Sequence, residues 1–187
     1  MSCACSLMKI LPRFAPIWVI KNCANEGIIL KNHPRFSMLT CKLSNTHADF
    51  CALTHALDAE LSVRYGKAQA VYDQHNVIDP IETTLVGYED GLPVACGCFK
   101  KIDAKTVEIK RMFVSPNCRR RGFSSQLLRE LEAWAVELGF SEARLETGKG
   151  QPEAIALYAK MGYAVILNYG SYVGMENSVC MHKALRS

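Results

Sequence analysis

One segment constrains the fold more than any other. A β-rich run, Val107–Val114, precedes Pro116; then comes Arg119-Arg120-Arg121-Gly122-Phe123-Ser124-Ser125, and a helical run to Leu138 follows. Val107, Ile109, Met112, Phe113 and Val114 supply the strand propensity. Leu127, Leu128, Leu131, Trp134, Ala135 and Leu138 recur at three- and four-residue spacing, so the helix has one apolar face. Arg129, Glu130, Glu132 and Glu137 are expected largely on the other face, and Gly139 at a left-handed C-cap. A strand, a basic glycine loop and a helix N-terminus together make a phosphate-holding device. The first N–H groups of a helix have no intrahelical partner, and its dipole adds partial positive charge there. Three arginines add full charges for a polyanionic ligand, and Gly122 lets the backbone approach a phosphate.

Arg119-x-x-Gly122-x-Ser124, placed after Met112-Phe113-Val114 and before Leu127-Leu128, resembles the acetyl-CoA signature of the GNAT superfamily of N-acetyltransferases, Gln/Arg-x-x-Gly-x-Gly/Ala. Ser124 departs from its last small position. A second block has the same order as the family's: Gln151-Pro152-Glu153-Ala154-Ile155-Ala156-Leu157-Tyr158, then Met161-Gly162-Tyr163, with Gln151 where Asn is usual. The resemblance spans roughly Met38 to Leu185. It implies a mixed α/β fold, with a central, twisted, mostly antiparallel sheet, one splayed pair of parallel strands, and flanking helices.

Charge and cysteine usage narrow the partners. The chain has 187 residues, enough for one well-buried core. Its net charge of +4 arises in residues 1–37, where Lys9, Arg13, Lys21, Lys31 and Arg35 oppose Glu26. The remainder carries 17 residues of each sign, out of 22 basic and 18 acidic in all. A neutral domain gives no reason to expect nucleic acid or an anionic membrane as partner. Nine cysteines, an odd count, without zinc-finger spacing to histidine, point to reduced thiols, no metal and a cytoplasmic location. Residues 38–187 are expected to form a single domain. Residues 1–37 are expected to be a poorly ordered extension, or sequence upstream of a start at Met38, with an organelle-targeting leader as the alternative.

The remaining pattern supplies the element order. Met38–Leu43 reads as a strand, Thr46-x-x-Asp49 as a helix start, and Phe50, Leu53, Leu57 and Leu61 as one face of that helix. Ala68–His75 is expected to be a short helix. Thr83–Tyr88 and Leu92–Phe99 are strands joined by a hairpin at Glu89-Asp90-Gly91. Arg144–Thr147 is a strand, Pro152 opens a helix ended by Gly162, and Tyr163–Leu167 and Val179–Lys183 close the sheet.

The chemistry follows from acetyl transfer to an amine. The amine must lose its proton, the oxyanion must be stabilised, and the departing thiolate must gain a proton. By the resemblance, acetyl-CoA is the cosubstrate. Met112, Phe113 and Val114 meet its pantetheine and thioester, while Arg119, Arg120, Arg121, Gly122, Phe123, Ser124 and Ser125 hold the pyrophosphate, with Gln151 and Tyr158 completing the site. Tyr158 is the expected general acid, since a phenol (~10) can reprotonate a thiolate (~8.5). Its other reading is a core tyrosine with a satisfied hydroxyl. Glu108 is the expected base, or else a strand carboxylate paired with Lys110 or Arg111; Glu146 has similar claims. Arg64, Tyr72, Glu146, Tyr169 and Tyr172 are the expected acceptor-binding residues, with Tyr65, Asn76, Glu176 and Asn177 in the same segments. The loop Tyr169-Gly170-Ser171-Tyr172 is expected to act as a partial lid. The expected acceptor is a small-molecule amine, acetylated directly in a ternary complex. A protein N-terminal or lysine acetyltransferase and a non-catalytic acetyl-CoA-binding module stay open. A homodimer is a further expectation, because dimers are frequent among the family's relatives.

Overall fold

The chain's computed structural model describes residues 38–66 and 83–186. The expected helix at 68–75, Tyr72, Asn76 and the extension at 1–37 lie outside the described residues. In chain order the elements are β1 (Leu39–Leu43), α1 (Ala48–Tyr65), β2 (Thr84–Glu89), β3 (Leu92–Lys101), β4 (Thr106–Val114), α2 (Phe123–Glu137), β5 (Glu142–Gly148), α3 (Pro152–Lys160), β6 (Ala164–Ile166) and β7 (Ser178–Ala184). The strands form one sheet in the order β1-β2-β3-β4-β5-β7-β6. β4 and β5 are parallel, and every other pairing is antiparallel. The mixed α/β architecture matches the expectation.

Local chemistry accounts for the boundaries. Asp90 and Gly91 both take positive φ (51° and 79°), so the β2–β3 hairpin turns in two left-handed residues. His47, not Thr46, caps α1; its Nδ1 accepts from the Asp49 amide. Gly139 turns left-handed (φ 89°) just beyond α2. Pro152 fills the first turn of α3, where its missing N–H costs nothing.

The sheet buries both faces. On one face α2 lays Leu127, Leu128 and Leu131 over Ala95, Phe99, Val107, Ile109 and Leu145. On the other, α1 sets Phe50 and Leu53 against Val86, Cys96, Cys98 and Phe113. Removing one of these leucines to alanine costs about 2–5 kcal/mol. Glu132 corrects the expected polar face of α2. It is buried, and the Lys183 ammonium of β7 donates to it at 2.6 Å.

β4 contains an irregularity. Cys96 pairs with Phe113 and Cys98 with Lys110, so Arg111 and Met112 together oppose the single residue Gly97. This is a β-bulge, and Arg111 takes φ 56° within it. The bulge changes which residues face which layer. Before it, Val107 and Ile109 join the α2 layer; after it, Val114 joins that layer and Phe113 packs under α1.

Candidate active site

β4 and β5 pair only from Thr106–Glu142 to Ile109–Leu145. Beyond that point β4 continues to Val114 and β5 to Gly148 without mutual hydrogen bonds. A cleft opens where the bulge turns β4 away. Its lining includes Ile109, Lys110, Arg111 and Met112 from β4, Glu146, Thr147 and Gly148 from β5, and Gln151 and Tyr158 from α3. Leu57, Leu61 and Tyr65 of α1, and Tyr172, complete it.

The bulge breaks the ladder, and two cysteines of β3 answer it. The Cys96 thiol donates to the Arg111 carbonyl at 3.5 Å and the Cys98 thiol to the Lys110 carbonyl at 3.6 Å. Burial pushes the Cys98 thiol up to about 12 and raises Cys96 as well. Both remain protonated donors and are poor nucleophiles.

Tyr158 is buried in α3, edge-to-face with Tyr163 at 5.9 Å between ring centroids, and it lines the cleft. Burial raises its phenol above the ordinary tyrosine value, and the charge of Glu146 adds to the shift. Its hydroxyl makes no hydrogen bond among the described residues. Glu146 also lines the cleft. Its Oε1 is buried with no hydrogen-bond partner. Burial raises this carboxyl, opposed by the Ser178 hydroxyl and the charge of Lys110.

Glu108 takes the second of its two expected readings, a strand carboxylate paired with Lys110. It is buried on β4 and is not part of the cleft lining. Tyr169 and Tyr172 both donate to its Oε1, at 3.1 and 3.0 Å, while Lys110 and Lys100 lie 3.5 and 3.6 Å from its Oε2. With both oxygens engaged, this carboxylate holds Tyr172 and Lys110 in place. The same bonds anchor the loop expected to be a lid. Gly170–Tyr172 forms a 3-10 turn with Tyr172 buried, and Asn168 Nδ2 donates to the carbonyls of Tyr172 and Met175.

The glycine loop has the expected backbone and a different charge balance. Gly122 takes φ 86° as N-cap of α2, with open space where a Cβ would sit, and no side chain caps the first amides. Phe123 is buried under the helix, with Ser124 and Ser125 half-buried in its first turn. Arg119 donates through Nε to the Val114 carbonyl at 2.8 Å and binds Glu60 of α1 through both terminal nitrogens, at 3.2 and 2.5 Å. Arg121 binds Glu89 at 2.6 Å. Arg120 is exposed, with φ 61°, and meets no carboxylate among the described residues. Of Met112, Phe113 and Val114, Met112 alone belongs to the cleft lining.

α1 spans the cleft mouth. Asp58 pairs with Arg111, Glu60 with Arg119, and Arg64 with Glu153 while donating to the Gly150 carbonyl at 3.0 Å. Arg64 is therefore a strap to the β5–α3 loop and stands outside the lining. Tyr65 packs against Gly148 and Gly150; a Cβ at Gly150 would lie 2.8 Å from its ring. Leu57, Leu61 and Tyr65 recur every four residues, a signal in the sequence for the face turned to the cleft.

Comparison with known proteins agrees with this geometry. The acetyltransferase (GNAT) family model matches residues 50–163. The chain is 35% identical over 136 residues to the IAA acetyltransferase of Azospirillum brasilense, covering 71% of this chain and 88% of that one. It is 33% identical over 92 residues to the uncharacterized N-acetyltransferase YsnE of Bacillus subtilis, covering 48% and 61%. A crystal structure from Klebsiella pneumoniae, assigned to the acyl-CoA N-acyltransferases, superposes with a TM-score of 0.67 at 31% identity, over 80% of this chain and 98% of that one. The chain belongs to the GNAT family of acetyltransferases. Within that family it is an N-acetyltransferase.

Proposed function

We propose that the protein transfers the acetyl group of acetyl-CoA to the primary amine of a small molecule, directly, in a ternary complex. One observation carries this reading: the cleft between β4 and β5 is lined by a buried tyrosine and by a half-buried carboxylate whose inner oxygen has no hydrogen-bond partner. The uncapped N-terminus of α2 and Gly122 fit the pyrophosphate, and Arg120 is the arginine that needs no carboxylate displaced to meet it. Met112 and Gln151 flank the path of the pantetheine.

Glu146, not Glu108, receives the amine proton in this reading. Its raised carboxyl is a better base than an ordinary glutamate. The amine nitrogen then attacks the thioester carbonyl, and the C–N bond forms as the C–S bond breaks. Tyr158, protonated at neutral pH, gives its proton to the leaving thiolate, and the strongly basic phenolate takes in return the proton that Glu146 received from the amine, so the amine proton ends on the CoA thiol. Direct transfer is supported by the inert cysteines beside the bulge, because an acetyl-enzyme intermediate needs an activated nucleophile. The relatives' names, IAA acetyltransferase and N-acetyltransferase, agree with acetyl transfer in general.

The test is release of CoA thiol by the full chain with acetyl-CoA and a panel of primary amines. Amine-dependent thiol release, with the acetylated amine detected by mass, is expected. Release with protein lysines or N-termini but with no small amine would overturn the substrate reading.

A further inference from the structure

We propose that Lys110 is a specificity residue that reads a carboxylate on the acceptor, so that the substrate is an amine carrying an acid group, an amino acid being the simplest case. This rests on the acetyl-transfer reading above and names its substrate class.

Positive charge exceeds negative around Glu108. Glu108 is one carboxylate shared by two lysines, Lys100 and Lys110. Lys110 is nearly buried, with a side chain 10% exposed, and it lines the cleft. An ammonium has three N–H donors. One reaches the Tyr172 hydroxyl at 3.0 Å and a second faces Glu108 Oε2 at 3.5 Å. The Tyr172 hydroxyl spends its own proton on Glu108 Oε1. The third Lys110 donor has no partner among the described residues. A buried cation with a spare donor, in a cleft, is matched by an anionic oxygen.

The surroundings point the same way. Arg111, the other cation of the lining, is matched by Asp58. Arg144 lies on β5 two residues before Glu146 and stacks on the Tyr169 ring at 5.5 Å. It meets no carboxylate within ion-pair distance among the described residues, and its Nε is buried without a hydrogen bond. Glu146 is the single acidic residue in the lining. The cleft lining thus carries one carboxylate, Glu146, for an amine, and one cation, Lys110, that shares its counter-ion with a second lysine, while Arg144 adds positive charge behind the lining. An amine with an adjacent carboxylate meets both Glu146 and the third Lys110 donor, whereas a simple amine leaves that donor unused.

The experiment uses the full chain and three matched pairs: phenylalanine and phenethylamine, methionine and 3-(methylthio)propylamine, tryptophan and tryptamine. The expected result is a kcat/KM at least tenfold higher for the acid-bearing member of any pair that reacts. Lys110→Met is expected to collapse that preference mainly through KM, and Lys110→Arg to restore part of it. Lys100→Met, which alters the exposed partner of Glu108, is expected to leave the preference unchanged. A preference for the decarboxylated amines in the unaltered protein overturns the proposal without any variant having to fold. So does an equal loss of preference in Lys100→Met, or a protein that binds acetyl-CoA and acetylates none of the six. A protein that does not bind acetyl-CoA at all refutes the underlying acetyl-transfer reading instead.

Discussion

In the proposed reaction Tyr158 and Glu146 divide the proton transfers, and their environments push both groups toward the protonated form. Burial does most of this in each case, and the charge of Glu146 adds to the shift of Tyr158. Replacing Tyr158 by Phe keeps the packing against Tyr163 and removes the proton. General acids contribute roughly 10²–10⁴-fold. Tyr158→Phe is therefore expected to lower kcat at least tenfold while the acetyl-CoA Kd stays within about twofold, measured by thiol release and by titration. Glu146 links activity to stability with opposite signs. Because its folded carboxyl is raised, ionising it opposes folding. That penalty is absent below the unfolded carboxyl value near ~4.3 and grows as the pH rises through the folded value. Glu146→Gln is expected to melt higher than the parent at pH 8, with the gap closing toward pH 4. The same variant is expected to lose the acidic limb of the kcat/KM profile. An unchanged limb would return the base assignment to another group.

At the scale of elements, the C-terminal half of α1 and the bulged β4 define the cleft together. Asp58, Glu60 and Arg64 tie α1 to β4, to the glycine loop and to the β5–α3 loop. Glu60 occupies the guanidinium that the motif assigns to a pyrophosphate. Glu60→Gln is expected to tighten acetyl-CoA binding about fivefold, or about 1 kcal/mol, read by calorimetric titration. Weaker binding would mean that Glu60 orients Arg119 for the ligand. Gly148 tests the other wall. A methyl group there would collide with the Tyr65 hydroxyl. Gly148→Ala is expected to cost about 1–3 kcal/mol of stability, a fall of several degrees in Tm by thermal melting.

These elements show what the sequence could and could not reveal. The leucines of α2, the Asp90-Gly91 turn and Gly122 were readable because periodicity and left-handed backbone leave local marks. The bulge was hidden: its left-handed residue is Arg111, not glycine, and nothing local marks a register shift set by pairing with β3. Glu132 departs from the expected polar face for a related reason. A carboxylate reads as exposed until the chain supplies a lysine from a distant strand, as Lys183 does for Glu132. Within the site, Tyr158 and Glu146 were named and do line the cleft, while Leu57, Leu61 and Tyr65 were readable only as a helix face.

At the scale of the whole molecule, the two core layers hold the sheet together up to Ile109 and Leu145, and the cleft begins where that pairing ends. The fold thus places Tyr158 and Glu146 beside one interrupted strand pair. In the proposed function this interruption receives acetyl-CoA. The most direct measurement is isothermal titration of the full chain with acetyl-CoA, beside the Gly122→Glu variant, whose carboxylate would meet the pyrophosphate at the N-cap of α2. Micromolar-range binding by the parent, with loss of at least tenfold in the folded variant, is the predicted result. No binding by a folded parent, or equal binding by both proteins, would contradict it.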